Sequence, residues 1–319
     1  MSDGGIKAID WPNNRYVKSM EEQPLILITG ANGQLGQAFR FLQGAYKDAE
    51  LIFMDRAQLD ITNAKQCRKV LETLLPDIVI NCAAYTNVEK AEEEVDVAML
   101  QNGTAPAFLA VACSLTDTRL IHFSTDYVFD GSASKAYLEN DPTGPLSSYG
   151  QSKLAGERGV ISAGGDFWIF RIAWLYSPFG HNFYKTMLRL ANEKPELSVV
   201  SDQFGSPTNA LVLASDILKT CSKTLHDETF ELPAGVYHYA HQGQTSWHGF
   251  ATEILRQNGI KTPVLAVDSE AYPTKAKRPK SSILDASLFY HSVGIEPITW
   301  EQALTECNEI NAQIQTQYT

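Results

Sequence analysis

The sequence predicts an α/β fold of the Rossmann-like, doubly wound class, with a parallel sheet and a smaller C-terminal substrate-binding lobe. Short apolar runs alternate with helix-length segments from residue 25 onward, and the first run leads into a glycine-rich turn. Such alternation is typical of right-handed βαβ units whose helices cover both faces of a parallel sheet. At 319 residues and 44% hydrophobic content, the chain is long enough to bury a large core.

Apolar runs bounded by turn residues predict five buried strands, at residues 25–28, 51–54, 77–82, 120–123 and 168–172. Helical spacing of apolar side chains predicts the segments between them, at residues 35–42, 64–75, 95–114 and 149–160. Beyond roughly residue 173 the alternation becomes irregular, and helices are expected at residues 183–192 and 212–224.

We therefore predict a dinucleotide-binding domain over residues 24–175 and a mainly substrate-binding lobe over residues 176–319. Segments near residues 210–240 are expected to return to the first domain. Residues 1–23 are polar and precede the first strand, so they are interpreted as an N-terminal extension, with a flexible tail as one form of it.

Charge and composition exclude several classes of protein. The net charge of -11 and the pI near 5.1 disfavour nucleic acid and anionic membranes as partners. Five widely spaced cysteines form no zinc-ligand pattern and indicate reduced thiols of a cytoplasmic protein. We expect no apolar stretch that approaches the ~18 residues that a membrane span requires, and the first 23 residues lack the apolar centre of a signal peptide.

The first strand runs into Gly30-Ala31-Asn32-Gly33-Gln34-Leu35-Gly36, a turn that enters a helix. Glycines at this spacing permit a tight turn and close approach of backbone to a pyrophosphate, which the free N–H groups of the helix then bind. The turn therefore predicts a dinucleotide site, to which Gly30, Asn32, Gly33, Gln34, Leu35 and Gly36 contribute. The alternative is a glycine-rich surface turn.

The second strand ends at a carboxylate, Asp55, about 20 residues beyond the turn, where it can accept hydrogen bonds from an adenosine ribose. That position favours NAD, but the guanidinium of Arg56 could hold a 2′-phosphate, so the choice between NADH and NADPH stays open. Asp60 and Ile61 are predicted to continue this site. Alternatively, Asp60 or Thr62 caps the next helix.

Two further strand ends contribute to the predicted site. The third ends in small residues that include Ala83 and Ala84, against which a dinucleotide could lie, and the fourth ends in the hydroxyls of Ser124 and Thr125. Open α/β sheets bind ligands at this carboxyl edge.

Tyr149 and Lys153 have the spacing that places a phenol and an ammonium one helical turn apart. A cation that favours the phenolate would lower the pKa of the tyrosine, which predicts a proton donor. A surface pair is the alternative.

These motifs together resemble the extended short-chain dehydrogenase/reductase superfamily and, within it, the dTDP-4-dehydrorhamnose reductases. The likeness covers residue 24 to the C-terminus and rests on seven further segments, at residues 81–86, 124–129, 149–153, 171–176, 182–183, 202–208 and 278–279. The resemblance implies NAD(P)H-dependent reduction of the C4 ketone of a nucleotide-sugar, dTDP-4-dehydro-6-deoxy-L-mannose, to dTDP-L-rhamnose.

The resemblance also implies roles for individual residues. Thr125 would orient the ketone, Tyr149 would protonate it, and Lys153 would lower the pKa of the tyrosine and hold the nicotinamide ribose. Further coenzyme contacts would come from Ala83, Ala84, Thr86, Asn102 and Ser124, and substrate contacts from Val88, Asp126, Tyr127, Trp174, Asn182 and Arg278. For three of these positions an alternative remains: Trp174 as a core aromatic, Asn182 as a helix cap, and Arg278 in a solvated loop.

Departures from related families narrow the expected reaction. Dehydratases of the superfamily carry an Asp-Glu pair after the threonine, whereas here Asp126 is followed by Tyr127, which favours ketone reduction. Some relatives dimerise through magnesium-binding glutamates, but the matching segments at residues 37–39 and 210–212 carry no acid. We therefore expect no metal and a monomer or weak homodimer.

Two alternatives to this function stay open. One is a reductase of another nucleotide-linked keto-deoxysugar. The other is a non-catalytic NADP-binding regulatory subunit similar to the beta subunit of methionine adenosyltransferase.

Overall fold

The computed structural model describes residues 23 to 317. The N-terminal extension expected at residues 1–23 lies outside the described residues except for Gln23, so its prediction is not tested.

A six-stranded parallel sheet forms the centre of the molecule. Its strand order is β10-β5-β4-β3-β1-β2, and every pairing is parallel. The strands are β1 (Leu25–Thr29), β2 (Glu50–Met54), β3 (Ile78–Asn81), β4 (Arg119–Thr125), β5 (Phe167–Ile172) and β10 (Gly235–Tyr239). The five predicted strands are present, and the Rossmann-like fold class is confirmed.

Helices cover both faces of the sheet. On one face, α1 (Gln34–Leu42), α7 (Ala210–His226) and α9 (Ser287–Val293) bury side chains such as Phe39, Ile217 and Phe289 in one apolar cluster. The opposite face packs against a second cluster formed mainly by α2 (Ala64–Leu74) and α4 (Ala105–Leu115), with Val160 from α5 (Ser148–Ala163). Apolar faces of these helices thus account for the double layer.

One long helical run crosses the second face. It begins with α3 (Val95–Ala98), passes through a π-helical turn at Met99–Thr104 and continues as α4. By length and composition, Val95–Leu115 could span a membrane, so the expectation that no stretch approaches that length is wrong. Half of it is buried, however, because α4 packs against α2 and α5, as a core helix of this fold must.

The smaller lobe has its own apolar cluster, centred on Tyr184, Phe250 and Leu304. Its helices are α6 (Phe183–Glu193), α8 (Trp247–Gln257) and α10 (Trp300–Gln317). Short strand pairs complete it: β6 (Leu175–Tyr176) with β9 (Thr208–Asn209), β7 (Leu197–Val200) with β12 (Val264–Val267), and β8 (Phe204–Gly205) with β11 (Thr245–Ser246).

Two segments after residue 209 belong to the larger layer. Helix α7 packs along α1, and β10 extends the sheet beyond β5, with Val236 opposite Ile169. The chain therefore crosses between the lobes more than once, and the larger lobe is built from separate stretches of sequence.

Candidate active site

The glycine turn after β1 brings three backbone segments into close contact. Gly30 has a φ of +62°, and a Cβ atom there would lie 2.5 Å from the nitrogen of Ala83. At Gly36, a Cβ atom would lie 2.5 Å from the carbonyl oxygen of Gly30. A side chain at either position would displace backbone, so glycine is required for this geometry.

The N-terminus of α1 has no side-chain cap, because its N-cap residue is Gly33. Six other α-helices are capped by side chains, which belong to Asn63, Ser147, Asn182, Asn209, Ser246 and Thr299. A helix start with unpaired N–H groups and a favourable dipole binds phosphate. The backbone at the start of α1 is therefore available for an anion.

A cavity of about 390 Å³ lies beside this turn. Several residues predicted for coenzyme binding line it, namely Gly30, Asn32, Gly33, Asp55, Arg56, Asp60, Ile61, Ala83 and Ala84. Gln101 also lines the cavity and was missed, because its position depends on how the long helical run crosses the third strand end. Cradle, uncapped helix and cavity together fit a dinucleotide.

The carboxylate of Asp55 is held in place at the far end of the cavity. One oxygen accepts hydrogen bonds from the backbone N–H groups of Ala57 and Gln58, at 2.9 and 3.2 Å, and the other accepts one from the Asn32 amide at 3.0 Å. The exposed guanidinium of Arg56 pairs with Asp60 at 3.5 Å. Both an anchored carboxylate and an accessible guanidinium thus stand at the expected adenosine position.

Asp60 does not cap the following helix. Its carboxylate accepts hydrogen bonds from the backbone and hydroxyl of Thr62, and these contacts lower the pKa of Asp60. The cap of α2 is Asn63, which accepts from the nitrogen of Gln66 at 3.1 Å. The alternative in which Asp60 or Thr62 caps the helix is therefore wrong.

Two residues predicted to bind the coenzyme form side-chain hydrogen bonds within the protein. Asn102 is buried, and its side chain accepts from the nitrogen of Tyr85 at 2.8 Å while donating to the Tyr85 oxygen and to Ser152. The hydroxyl of Ser124 donates to buried Glu157 at 2.5 Å. These side-chain groups are bonded within the protein, and a direct contact of Asn102 or Ser124 with the coenzyme stays a prediction. Thr86 is exposed on the loop after β3.

The three predicted catalytic side chains converge at the carboxyl end of β4. Thr125 is the last residue of that strand, and Tyr149 and Lys153 lie one turn apart on α5, whose first turn is capped by Ser147. Hydrogen bonding with the Thr125 hydroxyl is one of the interactions that set the pKa of Tyr149. The strand end and helix start therefore bring the phenol to the hydroxyl.

The pKa of Tyr149 departs from expectation. Burial and, to a lesser extent, the carboxylate of Asp126 raise it to about 12, and hydrogen bonding with Thr125 opposes the rise. The ammonium of Lys153 donates a hydrogen bond to the carbonyl oxygen of Phe123 at 2.6 Å. Burial lowers the pKa of Lys153 to about 8, and the carboxylate of Glu157 opposes this decrease. Burial is the largest influence on the pKa of the phenol, and the role of Lys153 in lowering that pKa stays a prediction.

Asp126 is buried next to the phenol. Its carboxylate accepts from the Thr125 hydroxyl at 2.9 Å, and one oxygen, Oδ2, has no hydrogen-bond partner in the structure. Burial raises the pKa of Asp126 to about 6, although hydrogen bonds from Ser282 and Thr125 oppose this. Tyr127 packs edge-on against Tyr149, with ring centroids 5.8 Å apart.

Arg278 reaches the same region from the loop before α9. Its Nη2 donates to Glu89 at 2.9 Å, and its Nε is buried without a partner. The side chain of Arg278 is 28% exposed, whereas Lys275, Lys277 and Lys280 of the same segment are exposed. Lys275 pairs with Glu93. Val88 is partly buried and directly precedes Glu89, the partner of Arg278.

Trp174 and Asn182 lie where the two lobes meet. Trp174 is partly buried and stacks on Trp247, with ring centroids 3.5 Å apart. Asn182 caps α6 by accepting from the nitrogen of Lys185, and its amide donates to Gln34 at 2.5 Å. The alternative of Asn182 as a helix cap is confirmed. No group of three or more metal-ligating side chains occurs in the part of the chain that the structure describes.

The chain shares this architecture with known proteins. Residues 24–312 match the family described as RmlD substrate binding domain. A dTDP-4-dehydrorhamnose reductase of Burkholderia thailandensis is 38% identical over 291 residues, which cover 88% of this chain and 97% of the relative. The spore coat polysaccharide biosynthesis protein SpsK of Bacillus subtilis is 38% identical over 283 residues, which cover 88% of this chain and 95% of the relative.

A solved structure gives the same result. The dTDP-4-dehydrorhamnose reductase of Bacillus anthracis, in complex with NADP, superposes with a TM-score of 0.83 at 38% identity, over 90% of this chain and 99% of that one. The resemblance found in the motifs is therefore confirmed, and the chain belongs to the RmlD family of dTDP-4-dehydrorhamnose reductases, which are oxidoreductases.

Proposed function

We propose that this protein catalyses the NAD(P)H-dependent reduction of dTDP-4-dehydro-6-deoxy-L-mannose at C4, which gives dTDP-L-rhamnose. The observation that carries the proposal is the convergence of Thr125, Tyr149 and Lys153 at the sheet edge beside the glycine turn, in a chain of this reductase family. Relatives that are 38% identical over most of their length bear the same reductase name.

The coenzyme is NADPH or NADH, and the structure offers groups for each part of it. The cradle formed by Gly30, Gly33 and Gly36 and the uncapped start of α1 would hold the pyrophosphate. Asp55 and Arg56 would face the adenosine, and the solved relative from Bacillus anthracis contains NADP. When bound, the reduced nicotinamide supplies the hydride.

Tyr149 would deliver the proton to the C4 oxygen. A phenol whose pKa is raised to about 12 stays protonated at neutral pH and is a weak acid, so it transfers its proton only as the alkoxide forms. The pKa of the Lys153 ammonium is lowered to about 8, which is still above neutral pH, so the group remains mostly charged. Its charge would stabilise the phenolate left after transfer.

Thr125 and Asp126 would position the ketone. The Thr125 hydroxyl donates a hydrogen bond to Asp126 and accepts one from the backbone nitrogen of Tyr127, and these two bonds fix the orientation of the hydroxyl. Arg278, with a buried Nε that lacks a partner, would bind the substrate diphosphate. Because Tyr127 stands where dehydratases carry a glutamate, the site offers no base there for elimination.

The experiment is steady-state oxidation of NADPH with enzymatically generated dTDP-4-dehydrorhamnose. We expect turnover by the wild-type protein and a decrease of at least ~100-fold in kcat for Tyr149→Phe, since a positioned proton donor contributes ~10²–10⁴-fold. Tyr46→Phe is the matched control, because that phenol lies near Ser222 on another face of the protein. Full activity in Tyr149→Phe would remove the proton-donor role.

Other outcomes point to the alternatives. Turnover of a different dTDP-linked keto-sugar at a higher kcat/KM would assign the protein to that substrate. Coenzyme binding without turnover of any such sugar, together with co-purification of a methionine adenosyltransferase, would support the regulatory subunit. The cytoplasmic location and the monomeric or weakly dimeric state remain predictions, which fractionation and light scattering would test.

A further inference from the structure

The backbone of Trp174 is held in an unusual conformation directly after β5. Its φ of +48° lies in the left-handed region, which bulky residues rarely adopt and which costs conformational energy. Two residues earlier, Ile172 pairs in register with Thr125, so Trp174 leaves the sheet beside the catalytic strand end. Surrounding contacts must therefore hold this residue in place.

Two contacts from the smaller lobe hold the indole ring. Trp247, the first residue of α8, stacks face to face on it with ring centroids 3.5 Å apart and an interplanar angle of 9°. Along its edge, a Cβ atom built on Gly205 would lie 2.6 Å from Cε2 of Trp174. Only glycine leaves room for the ring there, and Phe183 packs against Trp247 with ring centroids 4.7 Å apart.

The exposure of the pair separates it from the core of the lobe. Phe250 and Tyr176 in the same cluster are fully buried and Trp300 is 6% exposed, whereas Trp174 and Trp247 are each only partly buried. An aromatic pair that served packing alone would gain most by complete burial. The stack therefore lies at the rim of the cluster, where part of its surface remains open.

We propose that Trp247 is a positioning residue that clamps Trp174 against the nucleotide-sugar, with Gly205 as the slot that admits the indole. This inference rests on the proposed function, because it requires Trp174 to contact the sugar. Trp247 acts only through Trp174, so its loss would weaken sugar binding and leave coenzyme binding unchanged. Through Trp247 at the start of α8, the smaller lobe thereby becomes a determinant of substrate affinity.

The first test is Trp247→Ala in the full-length protein. We expect KM for dTDP-4-dehydrorhamnose to rise about tenfold, in line with the loss of one stacked aromatic pair, while KM for NADPH and kcat stay close to wild type. Trp247→Phe keeps an aromatic face and should restore most of the affinity. Trp300→Ala removes a tryptophan from the same cluster without touching Trp174, so it should lower stability without changing KM for the sugar.

A second variant reaches the indole from its other side. Gly205→Ala would displace the ring while leaving Trp247 intact, and it should produce the same selective increase in KM. Gly44→Ala is its control, because a Cβ atom there meets nothing within 4 Å. Calorimetric titration with dTDP-L-rhamnose adds a measurement that does not depend on turnover, and its Kd should weaken about tenfold in both variants.

The outcomes separate the two proposals. Wild-type turnover with unchanged sugar KM and Kd in Trp247→Ala and Gly205→Ala overturns the clamp and leaves the reductase proposal intact. Equal increases in KM for sugar and NADPH also overturn it, because they indicate general loss of structure. Wild-type protein that binds dTDP-L-rhamnose without turnover contradicts the reductase proposal alone, and wild-type protein that does not bind it contradicts both.

Discussion

The candidate active site has two halves, the glycine turn and the carboxyl end of β4, and they differ in the kind of atoms that form them. Around the glycine turn, backbone atoms dominate: an uncapped helix start, a φ of +62° at Gly30 and close approach to Ala83. At the end of β4, buried side chains dominate, and they include Asp126, Lys153 and Glu157. A single added Cβ atom at Gly30 or Gly36 would therefore disrupt the geometry of the first half, whereas the second half depends on the charges of its buried side chains.

Charge is concentrated behind the catalytic strand end. The guanidinium of Arg171 forms two hydrogen bonds with the carboxylate of Glu157, at 3.0 and 2.8 Å, and both side chains are almost completely buried. Ser124 donates to the same carboxylate. In the glycine-turn half, by contrast, Arg56 and Asp60 form an exposed pair whose contribution to stability is small.

The largest expected effect tests this buried pair. Glu157→Gln would remove the carboxylate that is hydrogen-bonded to the buried cation of Arg171, and it should lower the free energy of unfolding by about 3–5 kcal/mol. Urea denaturation measures the loss. Glu72→Gln, in the exposed pair with Arg68, is the control and should cost less than about 1 kcal/mol. Equal losses in the two variants would contradict the contrast between buried and exposed ion pairs.

The second prediction concerns the pH dependence of stability at Asp126. Its pKa in the folded protein is raised to about 6 from an ordinary 3.8, so the folded state favours the protonated form. That contribution is complete below pH ~4 and is lost as the pH rises through ~6. Relative to Asp126→Asn, the wild type should lose about 3 kcal/mol of stability between these limits.

Thermal or urea unfolding of both proteins from pH 4 to pH 7 measures this difference. Groups that titrate in both proteins contribute equally to the two stability curves, so their contributions cancel in the difference between wild type and variant. Parallel curves for the two proteins would show that burial does not control the ionisation of Asp126.

The third prediction applies to the backbone-built half. Gly36→Ala places a Cβ atom 2.5 Å from the Gly30 oxygen, and relief requires the turn to move. We expect stability to fall by about 1–3 kcal/mol, and the Kd for NADPH, measured by fluorescence titration, to weaken. Gly44→Ala has open space at its Cβ and should leave both quantities unchanged. Unaltered NADPH binding in Gly36→Ala would show that the cradle is not the pyrophosphate site.

The smallest expected effect concerns Asn182, which links the glycine-turn half to the smaller lobe. Its side chain caps α6 and donates to Gln34 at the start of α1. Asn182→Ala should cost about 1 kcal/mol for the lost cap, with KM for the sugar unchanged. A large selective increase in that KM would return Asn182 to the substrate-binding residues.

The same contrast explains what the sequence could predict. Strand ends and the glycine turn follow from local patterns, so the five strands and the cavity around Gly30 and Asp55 are as expected. The partners of Ser124 and Asn102 lie 33 and 50 residues away in sequence, at Glu157 and Ser152, and no local pattern reveals them. The pKa of Tyr149 likewise depends on burial, which spacing alone does not determine.

One consequence follows from the return of β10 to the sheet. Until residues 235–239 leave the ribosome, β5 has an open edge that carries Trp168 and Phe170, both fully buried in the finished protein. Unpaired apolar edges promote aggregation. We expect nascent chains that stop before Gly235 to require chaperones or to aggregate, and a fragment cut after residue 175 to be no substitute for the intact reductase.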